Sequence, residues 1–266
     1  FPASDNFVTL FVALEVMSLP LYIMAATARR RRQLSYESAL KYFVLGAFSS
    51  GFLLMGSAFL FGFSNSLRIS ALAEAISTHT NMEWMVLVGV FCVMVGLLFK
   101  VGAAPFHAWT PDVYTGAPTP VTGFMAAAVK IAAFAAMIRF YTVAAAYLQW
   151  DFLYIFAAIA VLTILVGTFA GLVQNNVKRM LAYSSIAHAG FILMGILAIQ
   201  KGGSGHVLFY TLGYGLATVG AFGVVTLVRG RDADGNVLGE ATSLRKWAGI
   251  GRTNPWIAGA MLIFLL

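Results

Sequence analysis

Long apolar runs separated by short polar segments make up most of this 266-residue chain. About twenty consecutive apolar residues are needed for a helix to cross a bilayer core, and most of the runs have that length. The pattern therefore predicts an all-α, polytopic membrane helix bundle. The predicted spans are Phe7–Thr27, Tyr42–Phe63, Met85–Lys100, Val121–Tyr141, Phe152–Val173, Met180–Ile199, Val207–Val228 and the shorter Trp256–Leu266.

The third run is short, but a proline-containing segment continues it as far as Thr115. Proline removes a helical hydrogen bond, and in lipid a broken helix is tolerated only where protein or a water-filled cavity covers the break. We therefore expect a discontinuous helix over about 85–115. Lys100 precedes the break and Lys130 follows it in the next run, which together indicate an ion path.

Two polar segments carry local signals of their own. Ser64–Asn81 has the pattern of a short amphipathic surface helix with polar capping residues at both ends. Asp232–Thr253 is charged and rich in glycine, which predicts a solvated connector without a catalytic domain.

Composition supports the membrane interpretation, since 60% of residues are hydrophobic and only 10% are charged. The single cysteine, Cys92, excludes a disulfide within the chain and a cysteine metal cluster. The net charge of +7 lies at helix ends rather than in a basic stripe with aromatics, so a nucleic-acid partner is not expected. The chain begins at Phe1 and stops at Leu266 early in an apolar run, so we expect a fragment lacking both natural ends.

Lysine and arginine are concentrated in alternate loops. The segments Arg29–Arg32, Lys178–Arg179 and Arg229–Arg252 fall on one side of the predicted bundle. The loops on the opposite side carry only Arg68 and Lys201. Cytoplasmic loops are enriched in positive charge. We therefore expect the Arg29–Arg32 loop, which contains Arg31, and the loop that contains Gly235 to face the cytoplasm.

Three ionisable residues lie at membrane depth in the first half of the chain. Glu15 stands near the middle of the first span, with Pro20 five residues later. Placing an ionisable residue inside a span costs free energy, so such a residue is a functional candidate. Desolvation also shifts the pKa of a buried lysine towards the range in which it can exchange protons. A structural ion pair or a protonated core glutamate is the alternative for Glu15. Snorkelling to the interface is the alternative for Lys100 and, less readily because it is deeper, for Lys130.

Further candidates are a histidine and a lysine. His188 lies in the middle of its span, where a neutral imidazole can donate and accept, and a satisfied core histidine is the alternative. Lys41 and Lys178 are expected in first turns on the cytoplasmic side, where anchoring of the helix is their expected use. We include Lys41 as a site candidate because Ser49–Ser50 continue a polar track above it.

The chain lacks a Gly-rich phosphate loop, a nucleophile elbow, a CxxC pair and a histidine pattern suited to haem or zinc. A redox centre in this sequence is therefore not expected. The chemistry that remains is movement of protons or ions through titratable groups.

Four stretches of the sequence resemble the antiporter-like membrane subunits of respiratory complex I, the proton-translocating NADH–quinone oxidoreductase, and most closely the subunit N type. They read LEVMSLPLYIM, ALKYFVLGAFSSGFLLMG, FKVGAAPFHAWTPDVYTGAPTPVTGFMAAAVK and NVKRMLAYSSIAHAGF. The resemblance implies inverted five-helix repeats, each with one broken helix. On that map residues 1–141 form part of the first repeat and 142–266 a truncated second repeat.

The resemblance also implies roles. Glu15, Lys100, Lys130 and His188 match the proton-relay positions of the family. Sibling subunits of the family carry a histidine–lysine pair in the helix that corresponds to Val207–Val228. This chain has Tyr214 and Thr218 there, which favours the N type.

The implied function is proton translocation driven by quinone reduction in other subunits. No cofactor is expected in this chain, whereas NADH, FMN, Fe–S clusters and quinone are expected in partner subunits. The implied partners are the neighbouring membrane subunits and lipid of the cell membrane. The alternatives are a subunit of a multisubunit cation/proton antiporter, a structural membrane spacer and, more weakly, a solute transporter.

Overall fold

The computed structural model describes residues 1–28, 32–78, 84–144, 149–199, 204–231 and 237–266. The helices are α1 Phe7–Ala25, α2 Arg32–Ser64, α3 Ile69–Thr78, α4 Trp84–Val101, α5 Trp109–Gly116, α6 Thr119–Phe124, α7 Lys130–Ala144, α8 Gln149–Leu172, α9 Val177–Leu197, α10 Ser204–Leu227, α11 Ile250–Thr253 and α12 Pro255–Leu265. A π-helical turn, Met125–Val129, joins α6 to α7 in one continuous helix. The strands are β1 Arg229–Arg231 and β2 Val237–Glu240.

Within the described ranges, seven helices are long and apolar enough to cross a membrane. The expected all-α polytopic bundle with a discontinuous helix is therefore confirmed. Large apolar side chains such as Leu172 and Phe209 remain exposed on the outer faces, as a lipid-facing surface requires.

Asparagine side chains set the starts of two spanning helices. The Asn6 side-chain oxygen accepts from the backbone N–H of Val8 at 2.9 Å, and that of Asn176 accepts from Lys178 at 3.0 Å. These bonds satisfy donors that the first turn of a helix leaves free. The helices α1 and α9 therefore begin directly after these asparagines, α1 with an apolar run and α9 three residues before one.

Helix α2 begins ten residues before the predicted span, at Arg32 rather than Tyr42. Its first turns are polar, with the sequence RQLSYESALK, so hydropathy does not detect them. Lys41, which we expected in a first turn, consequently lies about two and a half turns into α2. That expectation was wrong because a helix can continue beyond its apolar part.

The segment that we expected to be a solvated connector is partly structured. Strands β1 and β2 pair antiparallel, with Arg229 opposite Glu240 and Arg231 opposite Val237. The strands are too short and too polar to give a hydropathy signal, which explains why the sequence did not predict them. The residues between the strands, 232–236, lie outside the described part of the chain.

The described parts of the basic segments meet on one face of the bundle. The backbone N–H of Val177 donates to the Thr242 carbonyl at 2.8 Å, and Arg179 is ion-paired to Asp112 at 2.9 Å. Arg29–Arg31 and Gly235 lie outside the described residues.

The opposite face is formed around the surface helix α3, which is shorter than the predicted Ser64–Asn81. The Asp5 carboxylate accepts from the Ser70 hydroxyl at 2.8 Å and is 3.6 Å from the Arg139 guanidinium. The start of α1, helix α3 and the end of α7 are thereby joined. Residues 79–83 and 200–203, which include Asn81 and Lys201, lie outside the described residues.

Two buried apolar clusters fill the bundle. The larger lies between α1, α2, α4, α7, α8 and α9. The smaller surrounds the break and contains Tyr42, Trp109, Tyr114 and Phe222. Helices α2 and α4 approach closely at Gly56, where a Cβ would lie 2.6 Å from the Gly89 carbonyl oxygen.

Candidate functional site

The break between α4 and α5 spans residues 102–108, inside the predicted range of about 85–115. Gly102 has a φ of +74°, its N–H donates to the Phe99 carbonyl at 3.0 Å, and the Ala103 N–H donates to the Leu98 carbonyl at 3.0 Å. This is the glycine-terminated end typical of helices. The Trp109 indole N–H also donates to the Phe99 carbonyl, at 2.9 Å, which ties the start of α5 to the end of α4.

Lys100 occupies the last turn of α4 and is only 2% exposed. Its Nζ donates to the Ser18 hydroxyl at 2.6 Å and lies 3.4 Å from the Tyr42 hydroxyl. The Nζ also lies 5.2 Å from the centre of the Tyr42 ring and 5.9 Å from that of Tyr22. Lys100 is therefore held between α1 and α2 and does not snorkel to the interface.

Glu15 lies three residues before Ser18 on α1 and forms no direct ion pair with Lys100, although the family resemblance places these two residues at one site. Among the described residues no contact within 4.0 Å joins the two side chains, and the Glu15 Oε1 is buried without a hydrogen-bond partner. Glu15 and Ser18 are three residues apart and therefore share one face of α1. Ser18 is the hydroxyl that Lys100 contacts on this helix.

Lys130 follows directly after the π-helical turn and is 1% exposed. Its Nζ donates to the Ser185 carbonyl at 2.7 Å and to the Ser185 hydroxyl at 2.5 Å. No carboxylate lies within ion-pair distance of Lys130 in the described part of the chain. Single π-helical turns are frequent at functional sites.

His188 lies three residues after Ser185 on α9. Its Nδ1 is 2.7 Å from the Tyr210 hydroxyl, and its ring is 4.7 Å from that of Tyr214. A cavity of about 410 Å³ lies between α9, α10 and α12 and is lined in part by His188, Tyr214 and Thr218. The structure thus places His188 beside the Lys130 site, next to an open volume.

Lys41 belongs to a separate ion-pair cluster. Its Nζ lies 2.6 Å from Glu37 and 2.7 Å from Asp112, and Asp112 also pairs with Arg179 at 2.9 Å. The Ser49 hydroxyl donates to the Gly96 carbonyl instead of extending a track from Lys41. The structure therefore places Lys41 with Asp112, apart from the two buried lysines.

Lys178 is buried, and its Nζ donates to the Ala117 carbonyl at 2.6 Å, at the end of α5. Lys178 lies in the first turn of α9, as expected, but it fastens the broken helix to α9 from inside the protein and does not serve as a surface anchor.

Four neutral side chains in these sites were not identified from the sequence: Ser18, Tyr42, Ser185 and Tyr114. A hydroxyl in an apolar helix is common, so none of them stands out alone. One signal was available, since Ser18 follows Glu15 by three residues and Ser185 precedes His188 by three. Residues three apart share a helix face, so each serine was placed beside a titratable group.

Chemically, the site consists of the buried amines of Lys100 and Lys130, which are hydrogen-bonded to neutral oxygens. The Glu15 carboxyl group and the His188 imidazole lie nearby. Such groups can hold, release and receive protons. In the described ranges no group of three His, Cys, Asp or Glu side chains is placed to hold a metal ion.

Comparison with solved structures shows the same architecture elsewhere. A chain of respiratory complex I from Thermus thermophilus matches with a TM-score of 0.80 and 36% identity, covering 99% of this chain and 55% of that chain. A chain of the archaeal membrane-bound sulfane sulfur reductase, a respiratory membrane complex, matches with a TM-score of 0.85 and 28% identity, covering 98% of this chain and 52% of that chain.

Sequence comparison gives the family. The NADH-quinone oxidoreductase subunit N of Beutenbergia cavernae is 54% identical over 266 residues, which cover 100% of this chain and 50% of that protein. The chain thus spans about half the length of the curated relatives it matches. A family model described as "NADH:quinone oxidoreductase/Mrp antiporter, TM" matches residues 4–266. The chain belongs to this family of membrane proteins.

Proposed function

We propose that this chain is a proton-translocating membrane subunit of an NADH:quinone oxidoreductase, of the subunit N type. Protons pass through Glu15, Lys100, Lys130 and His188, and quinone is reduced in other subunits. The observation that carries the proposal is Lys130, a buried amine whose hydrogen bonds are to two neutral oxygens of Ser185.

The contacts of Lys130 accommodate both of its protonation states. As an ammonium it donates to the Ser185 carbonyl and hydroxyl. As a neutral amine it can accept from the same hydroxyl, because a serine both donates and accepts. A structural lysine at this depth would be expected to have a carboxylate partner, since an uncompensated buried charge is costly.

Replacing Lys130 tests the proposal. We expect Lys130→Ala to assemble normally in the complete enzyme but to lose much of the coupled proton transfer. Lys130→Arg should fail as well, because arginine keeps the charge but does not release its proton at accessible pH. The measurement is proton pumping by the whole enzyme in vesicles, with the exposed Lys246→Ala as the matched control.

Two outcomes contradict the proposal in different ways. Normal pumping by Lys130→Ala would identify the chain as a structural spacer. Full pumping by Lys130→Arg would show that only a fixed charge is needed at this position.

The assembly follows from the same proposal. Relatives of this chain are named as subunits of NADH-quinone oxidoreductase, which supports neighbouring membrane subunits and lipid as partners. The chain itself then needs no redox centre, and NADH, FMN, Fe–S clusters and quinone belong to partner subunits. We assign residues 1–141 and 142–266 to two inverted repeats of the full-length protein.

We place the protein in the cell membrane with the face that carries Arg179 and Arg245 towards the cytoplasm. The charge bias of the loops supports this orientation. The test is labelling of Arg252→Cys, at an exposed position, in a background without Cys92. Modification from the periplasmic side would contradict the orientation. Arg68→Cys, on the opposite face, should be labelled from that side.

A cation/proton antiporter subunit is the second candidate, because the matching family also includes Mrp antiporters. Such a protein exchanges a cation for protons without NADH. Proton uptake that follows a sodium gradient in the absence of NADH would favour this candidate over ours.

A further inference from the structure

Lys100 and Lys130, the buried lysines of the proposed relay, have separate hydrogen-bond partners. Lys100 contacts Ser18 on α1 and Tyr42 on α2, whereas Lys130 contacts Ser185 on α9. No described hydrogen bond joins one lysine site to the other. A side chain that passes a proton from one site to the other would have to lie between α2 and α9.

Helix α5 is the element in that position, since it packs against both α2 and α9. Its Tyr114 side chain is 0% exposed and lies on the inner side of the helix. The rings of Tyr42, Trp109 and Tyr114 form a continuous buried row, with centroid distances of 4.7 Å and 6.1 Å between successive rings. Tyr114 thus continues the row that starts beside Lys100.

The Tyr114 hydroxyl is buried and forms no well-aligned hydrogen bond among the described residues. It faces Ser185, the residue that binds Lys130. A buried hydroxyl that lacks a well-aligned hydrogen bond destabilises the fold, so its retention calls for an explanation. Phenylalanine would fill the same space without that cost.

We propose that Tyr114 carries protons between the Lys100 and Lys130 sites. This inference rests on the proposed function and names a residue that neither the sequence pattern nor the relay of charged residues includes. A phenol hydroxyl both donates and accepts, so it can pass a proton without becoming charged.

The transfer balances as follows. Lys100 gives one proton to the Tyr42 hydroxyl oxygen, and the Tyr42 hydroxyl proton passes to the Tyr114 oxygen. The Tyr114 hydroxyl proton goes to the Ser185 oxygen. The Ser185 hydroxyl releases its proton to the neutral Lys130 amine. Lys100 ends as an amine and Lys130 as an ammonium, and the hydroxyls are chemically unchanged but must rotate back before the next transfer.

Tyr114→Phe removes the hydroxyl and keeps the ring. We expect the complete enzyme to assemble and to reduce quinone, while coupled proton transfer in vesicles falls to the level of the Lys130→Ala variant. Tyr36→Phe, which alters an exposed tyrosine on α2, is the matched control and should pump as the unmodified enzyme does.

The set of variants separates this inference from the function on which it rests. Loss in Lys130→Ala with full pumping in Tyr114→Phe overturns the role of Tyr114 and leaves the proposed function intact. Full pumping in Lys130→Ala overturns both.

If Tyr114→Phe does not assemble, a fluorinated tyrosine at position 114 replaces it, since the ring is nearly the same size and its hydroxyl is more acidic. A shifted pH profile of proton transfer is then expected, and an unchanged profile contradicts the proposal.

Discussion

Lys100 and Lys130 are both buried, but their surroundings compensate a positive charge to different degrees. Lys100 lies at the end of α4, where the helix dipole favours a cation, and it faces two tyrosine rings with Glu15 nearby. Lys130 lies in the middle of a continuous helix, and its hydrogen bonds are to the neutral oxygens of Ser185.

This difference indicates a division of roles. The Lys100 site contains a carboxylate, aromatic faces and a helix end, all of which favour the ammonium form. The Lys130 site contains a hydroxyl that suits the amine as well as the ammonium. We infer that the first site holds a proton and that the second passes it on.

The largest effect that would test this division comes from Glu15 and Lys100. We expect Glu15→Ala and Lys100→Ala each to lower proton pumping at least about tenfold, since positioned proton-transfer groups contribute on the order of 100-fold or more. The double variant should be no worse than the poorer single one, because each has cut the same link. Pumping is measured in vesicles with the whole enzyme, and the exposed Glu74→Ala is the control.

The opposite result would be informative as well. If the two losses multiply in the double variant, Glu15 and Lys100 act in separate paths. Glu15 would then not help Lys100 to hold a proton, and the proposed difference between the Lys100 and Lys130 sites would be wrong.

A smaller effect is expected at Gly102, which ends the helix that carries Lys100. Alanine would have to adopt a φ of +74°, and its Cβ would lie 2.7 Å from the Thr110 hydroxyl oxygen. The left-handed conformation alone costs roughly 1–2 kcal/mol for a residue with a Cβ. Gly102→Ala should therefore lower the thermal stability of the subunit in the complex. It should also displace the side chain of Lys100 more than that of Lys130.

Gly51→Ala is the control, because a Cβ at this helical position meets nothing within 4 Å. Heating the two variants side by side decides the matter. Equal stability would show that the end of α4 adjusts freely and that the position of Lys100 does not depend on it.

The sequence predicted the spans and the break because both rest on strong local signals. Apolar runs define the helices that meet lipid, and proline marks the segment where α4 ends and α5 begins. Hydropathy did not predict the polar first turns of α2 or the hairpin of β1 and β2, since neither is an apolar run of spanning length. The π-helical turn has the sequence MAAAV, which is equally typical of an α-helix.

The candidate site was predicted only in its charged members. Glu15, Lys100, Lys130 and His188 stand out because charge and imidazole are rare in apolar helices, and their roles as a relay stay a prediction. The partners Ser18 and Ser185 depend on which helix faces meet, and one sequence does not contain that information. For the same reason the sequence does not show that the Lys100 amine donates its hydrogen bond to Ser18 and not to the carboxylate of Glu15.

The length of α2 has a mechanical consequence. Its 33 residues make a rod about 50 Å long at ~1.5 Å per residue, whereas a hydrocarbon core is about 30 Å thick. Helices bend only gently, so the polar end of this rod and its apolar part move together. Lys41, near the boundary between them, is tied to Asp112 on α5. A force that a neighbouring subunit applies to the polar end of α2 would therefore be transmitted through Lys41 and Asp112 to the broken helix.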